Sequence, residues 1–144
     1  MSLPAAPGTY LLFLRLEQPH TITVGRLGEF AFPDGLYAYV GSAQGPGGLR
    51  ARVGRHLRQD KTLRWHIDAL TTTAAVISVW YDTSGTRLEC TWAAHLAKTQ
   101  GLTRPVPSFG SSDCDCLTHL FYIPASLIEQ VWQILDRPLV YAPK

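Results

Sequence analysis

The chain has 144 residues, is 46% hydrophobic and carries a formal charge of +2, which suits one domain with a single core over residues 1–144. Its apolar runs fall far short of the roughly 20 residues that a membrane helix needs, and the N-terminus lacks the regions of a secretory signal. We therefore predict no membrane partner and a cytoplasmic location. The odd cysteine count (Cys90, Cys114, Cys116) favours reduced thiols over a disulfide framework.

Apolar periodicity and turn residues predict the elements in chain order. Strands are expected over residues 9–16, 20–24, 29–32 and 36–40, then a helix from residue 49. A strand over 76–81, a helix over 88–98, a loop over 101–115, a strand over 117–123 and a capping-box helix over 127–135 follow. The order predicts an α/β (α+β) domain with a small mixed or antiparallel sheet flanked by helices.

The helix that begins at residue 49 carries an apolar stripe of Leu49, Val53 and Leu57 at i, i+4 and i+8. On a helical wheel Arg52 and His56 lie together at one border of this stripe, whereas Arg55 and Arg58 point away and are expected to be solvated.

Three glycines precede this helix (Gly45, Gly47 and Gly48), and they could form a phosphate cradle or a plain turn. Neither Gly-Lys-Ser/Thr nor G-x-G-x-x-G is present, so the residues favour the turn. Six of the 13 Lys and Arg residues lie between positions 50 and 64, against one acid, Asp60. Such a patch can bind phosphate.

Four ordered motifs resemble those of the GIY-YIG nuclease superfamily: GTY at 8–10, YVG at 39–41, Arg52 followed by His56, and Glu89 on a later helix. The chain more closely resembles an uncharacterised GIY-YIG-like family that occurs alone or fused to the repair glycosylase endonuclease III. Segments 35–43, 64–70, 89–90 and 109–122 carry that resemblance. It implies a GIY-YIG-like domain and, through the fusion, a link to base-excision repair of DNA.

The resemblance also implies an endonuclease that cleaves phosphodiester bonds in DNA with Mg²⁺ or Mn²⁺. Tyr10 or Tyr39 would orient or deprotonate the water, Arg52 would contact the scissile phosphate, and His56 would assist proton transfer. Glu89 would hold the metal. Contacts to nucleic acid are assigned to a further set: Ser42, Arg50, Arg55, Arg58 and Lys61.

Four of the five catalytic candidates have a structural alternative. Tyr10 and Tyr39 could be core aromatics of strands, Arg52 could cover apolar surface with its stem, and Glu89, three residues after Thr86, could form a capping box.

His66 and Asp68 would share one face of a strand, either supporting the active site or, as we favour, fixing a loop. Cys114, Cys116 and His119, with Cys90, have the residue types of a zinc site but an unusual spacing, so buried thiols are the expectation.

Two departures from the superfamily pattern bear on activity. The chain contains no asparagine, which many of these nucleases carry near the site, so Ser112 or Asp113 would have to substitute. Between Tyr10 and Tyr39 lie 28 residues, more than usual, and an extra hairpin over 17–33 would account for them. The alternative function is therefore a catalytically inactive nucleic-acid or nucleotide binding module on the same fold.

Overall fold

A computed structural model describes residues 2–111 and 116–143. Seven strands and four α-helices occur in these ranges, in the order β1 (Gly8–Leu16), β2 (His20–Val24), β3 (Gly28–Phe32), β4 (Gly35–Ala43), α1 (Gly48–Leu57), α2 (His66–Thr71), β5 (Ala75–Asp82), α3 (Glu89–Lys98), β6 (Leu120–Tyr122), α4 (Ile128–Ile134) and β7 (Leu139–Tyr141). Short 3₁₀ turns at Gly25–Leu27 and Ala125–Leu127 precede β3 and α4. None of the helices in the described ranges has the length and apolar character to cross a membrane.

Five of the strands form one antiparallel sheet in the order β6-β4-β1-β5-β7. The central strand β1 pairs with β4 from Gly8 opposite Ala43 to Leu16 opposite Gly35, and with β5 along its other edge. Its apolar run is buried at every position except Arg15, as expected for a strand covered on both faces. The predicted α+β class with a small sheet flanked by helices is confirmed.

Alternate side chains of β1 enter two separate cores because successive strand residues point to opposite faces. On one face, Tyr10, Leu12 and Leu14 pack with α1, α2 and the β2–β3 hairpin. On the other face, Leu11 and Phe13 pack with α3 and α4. The sheet is therefore the middle of three layers.

The hairpin expected between β1 and β4 is present as the separate pair β2–β3. Ile22, Val24 and Phe32 are its main contribution to the core, and β2 contacts α2. The β2–β3 hairpin thus packs against α2 and supports it.

The local structure differs from the prediction at four places. Helix α2 and strand β7 were not predicted, and the strand over 117–123 is only Leu120–Tyr122. The capping box at the last helix does not form, because α4 follows a 3₁₀ turn and has Leu127 as an N-cap without a side-chain hydrogen bond. Short elements such as these depend on tertiary packing, which local patterns do not encode.

The glycine at the end of β4 is required by a close approach. A Cβ atom added at Gly41 would lie 2.4 Å from Cζ and from the hydroxyl oxygen of Tyr10, its partner on β1. The Tyr10 ring therefore crosses the backbone of β4 where a side chain would otherwise stand, and this directs its hydroxyl towards α1.

We predict that Gly41→Ala lowers the free energy of unfolding by about 1–3 kcal/mol, because the ring must shift to admit the methyl group. Urea denaturation of wild type and variant measures the difference. Gly54→Ala is the matched control: Gly54 lies in α1 with open space at its Cβ position, so alanine there should stabilise by about 0.5–1 kcal/mol. Equal stability of Gly41→Ala and wild type would contradict the close approach.

Candidate active site

One cavity of about 200 Å³ lies beside the sheet where β1, β4, α1, α2 and α3 meet. Its lining comprises Tyr10, Tyr39, Arg52, His56, Arg64, Trp65, His66, Glu89 and Gly110. The structure thus brings together all five residues predicted to be catalytic, although they come from four separate elements. Arg64, Trp65 and Gly110 were not predicted as site residues.

The hydroxyl of Tyr10 and Nε2 of His56 are 2.7 Å apart and share a hydrogen bond. His56 is only 1% exposed, so it packs against the core beside Val53, and it lines the cavity together with Arg52. Burial, helped by the charge of Lys61, lowers the pKa of His56 to about 3. Neutral imidazole at neutral pH can accept or donate the shared hydrogen.

Burial also raises the pKa of the Tyr10 hydroxyl well above its usual range, against the opposing charge of Arg52. Tyr39 is 8% exposed, and burial together with Tyr10 raises its pKa in the same direction. Both tyrosines are core aromatics and also line the cavity. A structural role in the core is therefore compatible with a role in catalysis. Both phenols keep their protons at neutral pH.

Tyr39 is held in place by the loop before β6. Gly110 has a φ of +69°, and a Cβ there would lie 2.9 Å from the Tyr39 ring. The Gly110 amide donates to Nδ1 of His66 over 2.8 Å, which fixes the loop against α2. His66 therefore has the loop-fixing role that we favoured, and it also lines the cavity.

Trp65 forms a platform for the guanidinium groups. The Cζ atom of Arg52 lies 4.6 Å from the ring centroid and that of Arg64 lies 5.6 Å away, within the range of cation–π attraction. Nη1 of Arg52 also donates to the carbonyl oxygen of Ser42 over 3.0 Å. Arg52 is thus oriented by two contacts at the cavity wall, with Ser42 supplying a main-chain acceptor.

Asp68 is a fully buried carboxylate that holds this platform. Its oxygens accept two hydrogen bonds from Arg55, at 2.7 and 3.0 Å, and two from the amides of Arg64 and Trp65. Burial alone would raise the pKa of Asp68, but these bonds lower it to about 2. Asp68 lies in α2 and not on a strand, and it does not pair with His66.

Arg55 is not solvated as predicted, because its side chain is 15% exposed and paired with Asp68. It also stacks 4.3 Å from the Trp65 centroid. Two other basic residues of the proposed contact set bind the chain itself: Arg50 donates to the carbonyl of Leu3, and Lys61 donates to the carbonyls of Arg55 and His56. Arg58 is exposed, as expected.

Glu89 is the first residue of α3, whose N-cap is Leu88 without a side-chain hydrogen bond. The capping box with Thr86 therefore does not form. The Leu88 amide instead donates to Oγ1 of the buried Thr9 over 3.0 Å, which fixes the start of α3 on β1. Thr9, the middle residue of GTY, thus positions Glu89 next to Tyr10, a role that its place in the strand did not suggest.

Among the described residues that line the cavity, Glu89 is the single carboxylate, and its side chain is 31% exposed. Mg²⁺ is typically held by one or two carboxylates together with waters and substrate phosphates, so the donor that the cavity offers fits this ion. Ser112 and Asp113, the predicted substitutes for asparagine, lie outside the described residues.

The expectation of buried thiols is wrong for Cys90, which is exposed in the first turn of α3, while Cys116 is half-buried. Cys114 lies outside the described residues. Burial lowers the pKa of His119, which is 2% exposed.

Residues 9–138 match the family model described as Domain of unknown function DUF123. No curated protein and no solved structure matches the chain.

We predict that the hydrogen-bonded carboxylate of Asp68 makes the free energy of unfolding depend on pH. The unfolded carboxyl has a pKa of about 3.9, so the folded state gains stability above that pH and loses it as pH falls towards 2. With a folded pKa of about 2, the stability difference between wild type and Asp68→Asn should shrink by roughly 1.5–2 kcal/mol between pH 7 and pH 2.5. Urea denaturation at pH 7, 4 and 2.5 measures it.

Asp60→Asn removes an exposed carboxylate nearby and serves as the control, with a small difference at every pH. A difference between wild type and Asp68→Asn that stays constant from pH 7 to 2.5 would exclude an ionised, hydrogen-bonded Asp68.

Proposed function

We propose that this chain, which belongs to the family Domain of unknown function DUF123, is a divalent-metal-dependent endonuclease that cleaves phosphodiester bonds in DNA. The observation that carries the proposal is the convergence of Tyr10, Tyr39, Arg52, His56 and Glu89 on one cavity. Their combined chemistry includes a proton relay, a fixed cation and a metal-binding carboxylate, which are the groups that phosphodiester cleavage requires.

The guanidinium groups of Arg52 and Arg64 provide the positive charge for a phosphate group. Arg52 is fixed by Trp65 and by the Ser42 carbonyl, so it loses little side-chain freedom when it binds an anion. A preorganised cation stabilises the charge that develops on the phosphoryl oxygens in the transition state. The planar fork of arginine matches two of these oxygens at once.

The Tyr10–His56 pair serves as the proton relay. With Nε2 of neutral His56 accepting from Tyr10, the tyrosine oxygen keeps a lone pair for a water molecule in the cavity. As that water attacks phosphorus, its proton passes to the Tyr10 oxygen while the tyrosine proton passes to Nε2, and the relay runs in reverse when the leaving oxygen takes up this proton. Tyr10 then remains a neutral phenol, as its raised pKa requires, and His56, whose pKa burial lowers to about 3, holds the proton only in passing. Tyr39 lines the same cavity and orients the water.

Glu89 holds the divalent metal at the opening of the cavity, where its carboxylate is partly exposed. A bound Mg²⁺ or Mn²⁺ supplies Lewis-acid stabilisation of the phosphoryl and leaving oxygens. Thr9 fixes the start of α3, so the carboxylate stays at the cavity that Tyr10 also lines.

A role in DNA repair in the cytoplasm, linked to a base-excision glycosylase, belongs to the same proposal. Its support is the resemblance to GIY-YIG-like domains that are fused to endonuclease III.

Arg52→Ala should slow cleavage of supercoiled plasmid by about a hundredfold or more, because one transition-state stabiliser is lost. Nicking in the presence of Mg²⁺ gives the rate. Arg15→Ala removes an exposed charge from β1, outside both the cavity lining and the proposed DNA contacts, and should cleave within about threefold of wild type. Equal cleavage by wild type and both variants would identify a contaminating nuclease and refute the proposal.

Binding to duplex DNA should depend on salt with a log–log slope of about −2.7, for three phosphate contacts by Arg52, Arg58 and Arg64. Arg50, Arg55 and Lys61 bind the chain itself, so they add little. Fluorescence anisotropy at several salt concentrations gives the slope. Salt-independent binding would contradict a phosphate ligand, whereas this slope without any cleavage would favour the binding-module alternative.

A further inference from the structure

Three side chains with metal-binding atoms meet beside Glu89. Cys90 lies in the first turn of α3, and Cys116 and His119 precede β6. Their ligand atoms all lie within 4.8 Å of one another. Cys90 is 26 positions from Cys116 and 29 from His119 in the sequence. The packing of α3 beside the segment before β6 brings it to the other two residues.

The donor set differs chemically from the oxygen donor offered by Glu89. Two thiolates and an imidazole are the ligands of Zn²⁺ in many proteins, and Mg²⁺ does not use them. In a tetrahedral site with Zn–S bonds of about 2.3 Å, ligand atoms stand roughly 3.5–3.8 Å apart. A spread of up to 4.8 Å therefore closes with small side-chain movements, which the exposed Cys90 permits.

We propose that Cys90, Cys116 and His119 bind one Zn²⁺ ion. His119 is already fixed for this purpose, because its amide donates to the carbonyl of Phe109 and its carbonyl accepts from the amide of Val40 on β4. Its side chain is 2% exposed. The ion ties the segment before β6 to the first turn of α3.

The zinc site meets the candidate active site at Glu89. Nδ1 of His119 lies 3.5 Å from Oε2 of Glu89, so zinc binding through Nε2 directs the Nδ1–H group at the carboxylate. A histidine ligand commonly donates its second N–H to such a group, which fixes the ring. Zinc binding is independent of the proposed cleavage, but the consequence that zinc holds Glu89 at the cavity rests on it.

Purified protein, refolded or expressed with Zn²⁺ and dialysed, should contain about one zinc per chain by elemental analysis. Cys90→Ser and His119→Ala should each weaken zinc affinity at least about a hundredfold, since loss of a mere supporting contact already costs 10–100-fold. Because Cys90 is exposed, its serine variant leaves the core intact. Titration with Co²⁺ provides a second readout, the absorption of a tetrahedral cobalt thiolate, which Cys90→Ser should lose.

His95→Ala is the matched control, because His95 is an exposed imidazole on the same helix, and it should retain full zinc content. Arg52→Ala should also retain zinc while losing cleavage, which separates this inference from the proposed activity. Wild-type protein without zinc and without the cobalt–thiolate absorption would overturn the proposal. So would zinc content that is unchanged in both Cys90→Ser and His119→Ala, or a Cys90–Cys116 disulfide shown by mass spectrometry.

Discussion

The buried carboxylate of Asp68 is the interaction on which the candidate site depends. Removing a carboxylate from water is costly unless its oxygens are fully hydrogen-bonded, and Asp68 meets this requirement with the Arg55 guanidinium and the amides of Arg64 and Trp65. These bonds join α1, the segment before α2 and α2 itself. The Trp65 ring is thereby held beside α1, where it orients the guanidinium groups of Arg52 and Arg64.

A second constraint acts from the sheet. The Tyr10 ring lies across Gly41 and reaches His56 on α1, so the β1–β4 register decides where the hydroxyl stands. Thr9, the preceding residue, receives the Leu88 amide and places the start of α3. Two neighbouring residues of one strand therefore position groups on two helices that pack on opposite faces of the sheet.

The sequence predicted the long elements and the five converging residues, because a buried strand and an amphipathic helix have strong periodic signals and the motifs carry a family resemblance. It did not predict the hydrogen bonds of Asp68 with Arg55 and with the amides of Arg64 and Trp65. Arg55 points away from the apolar stripe on a helical wheel, yet it is buried by α2, an element of only six residues without a detectable pattern. Arg64 and Trp65 could have been noticed as a basic-aromatic pair next to the basic patch, but their partner Asp68 is recognisable only in three dimensions.

In the proposed reaction, Glu89 and the groups around Tyr10 cleave a phosphodiester bond with a divalent metal. The nicking of supercoiled plasmid by chelator-treated protein, followed as Mg²⁺ is added with wild type and Glu89→Gln side by side, tests this reaction. Cleavage should appear with Mg²⁺ only in the wild type and remain at least about a hundredfold slower in the variant. Cleavage that needs no divalent ion, or that Glu89→Gln performs equally well, would contradict the proposed reaction.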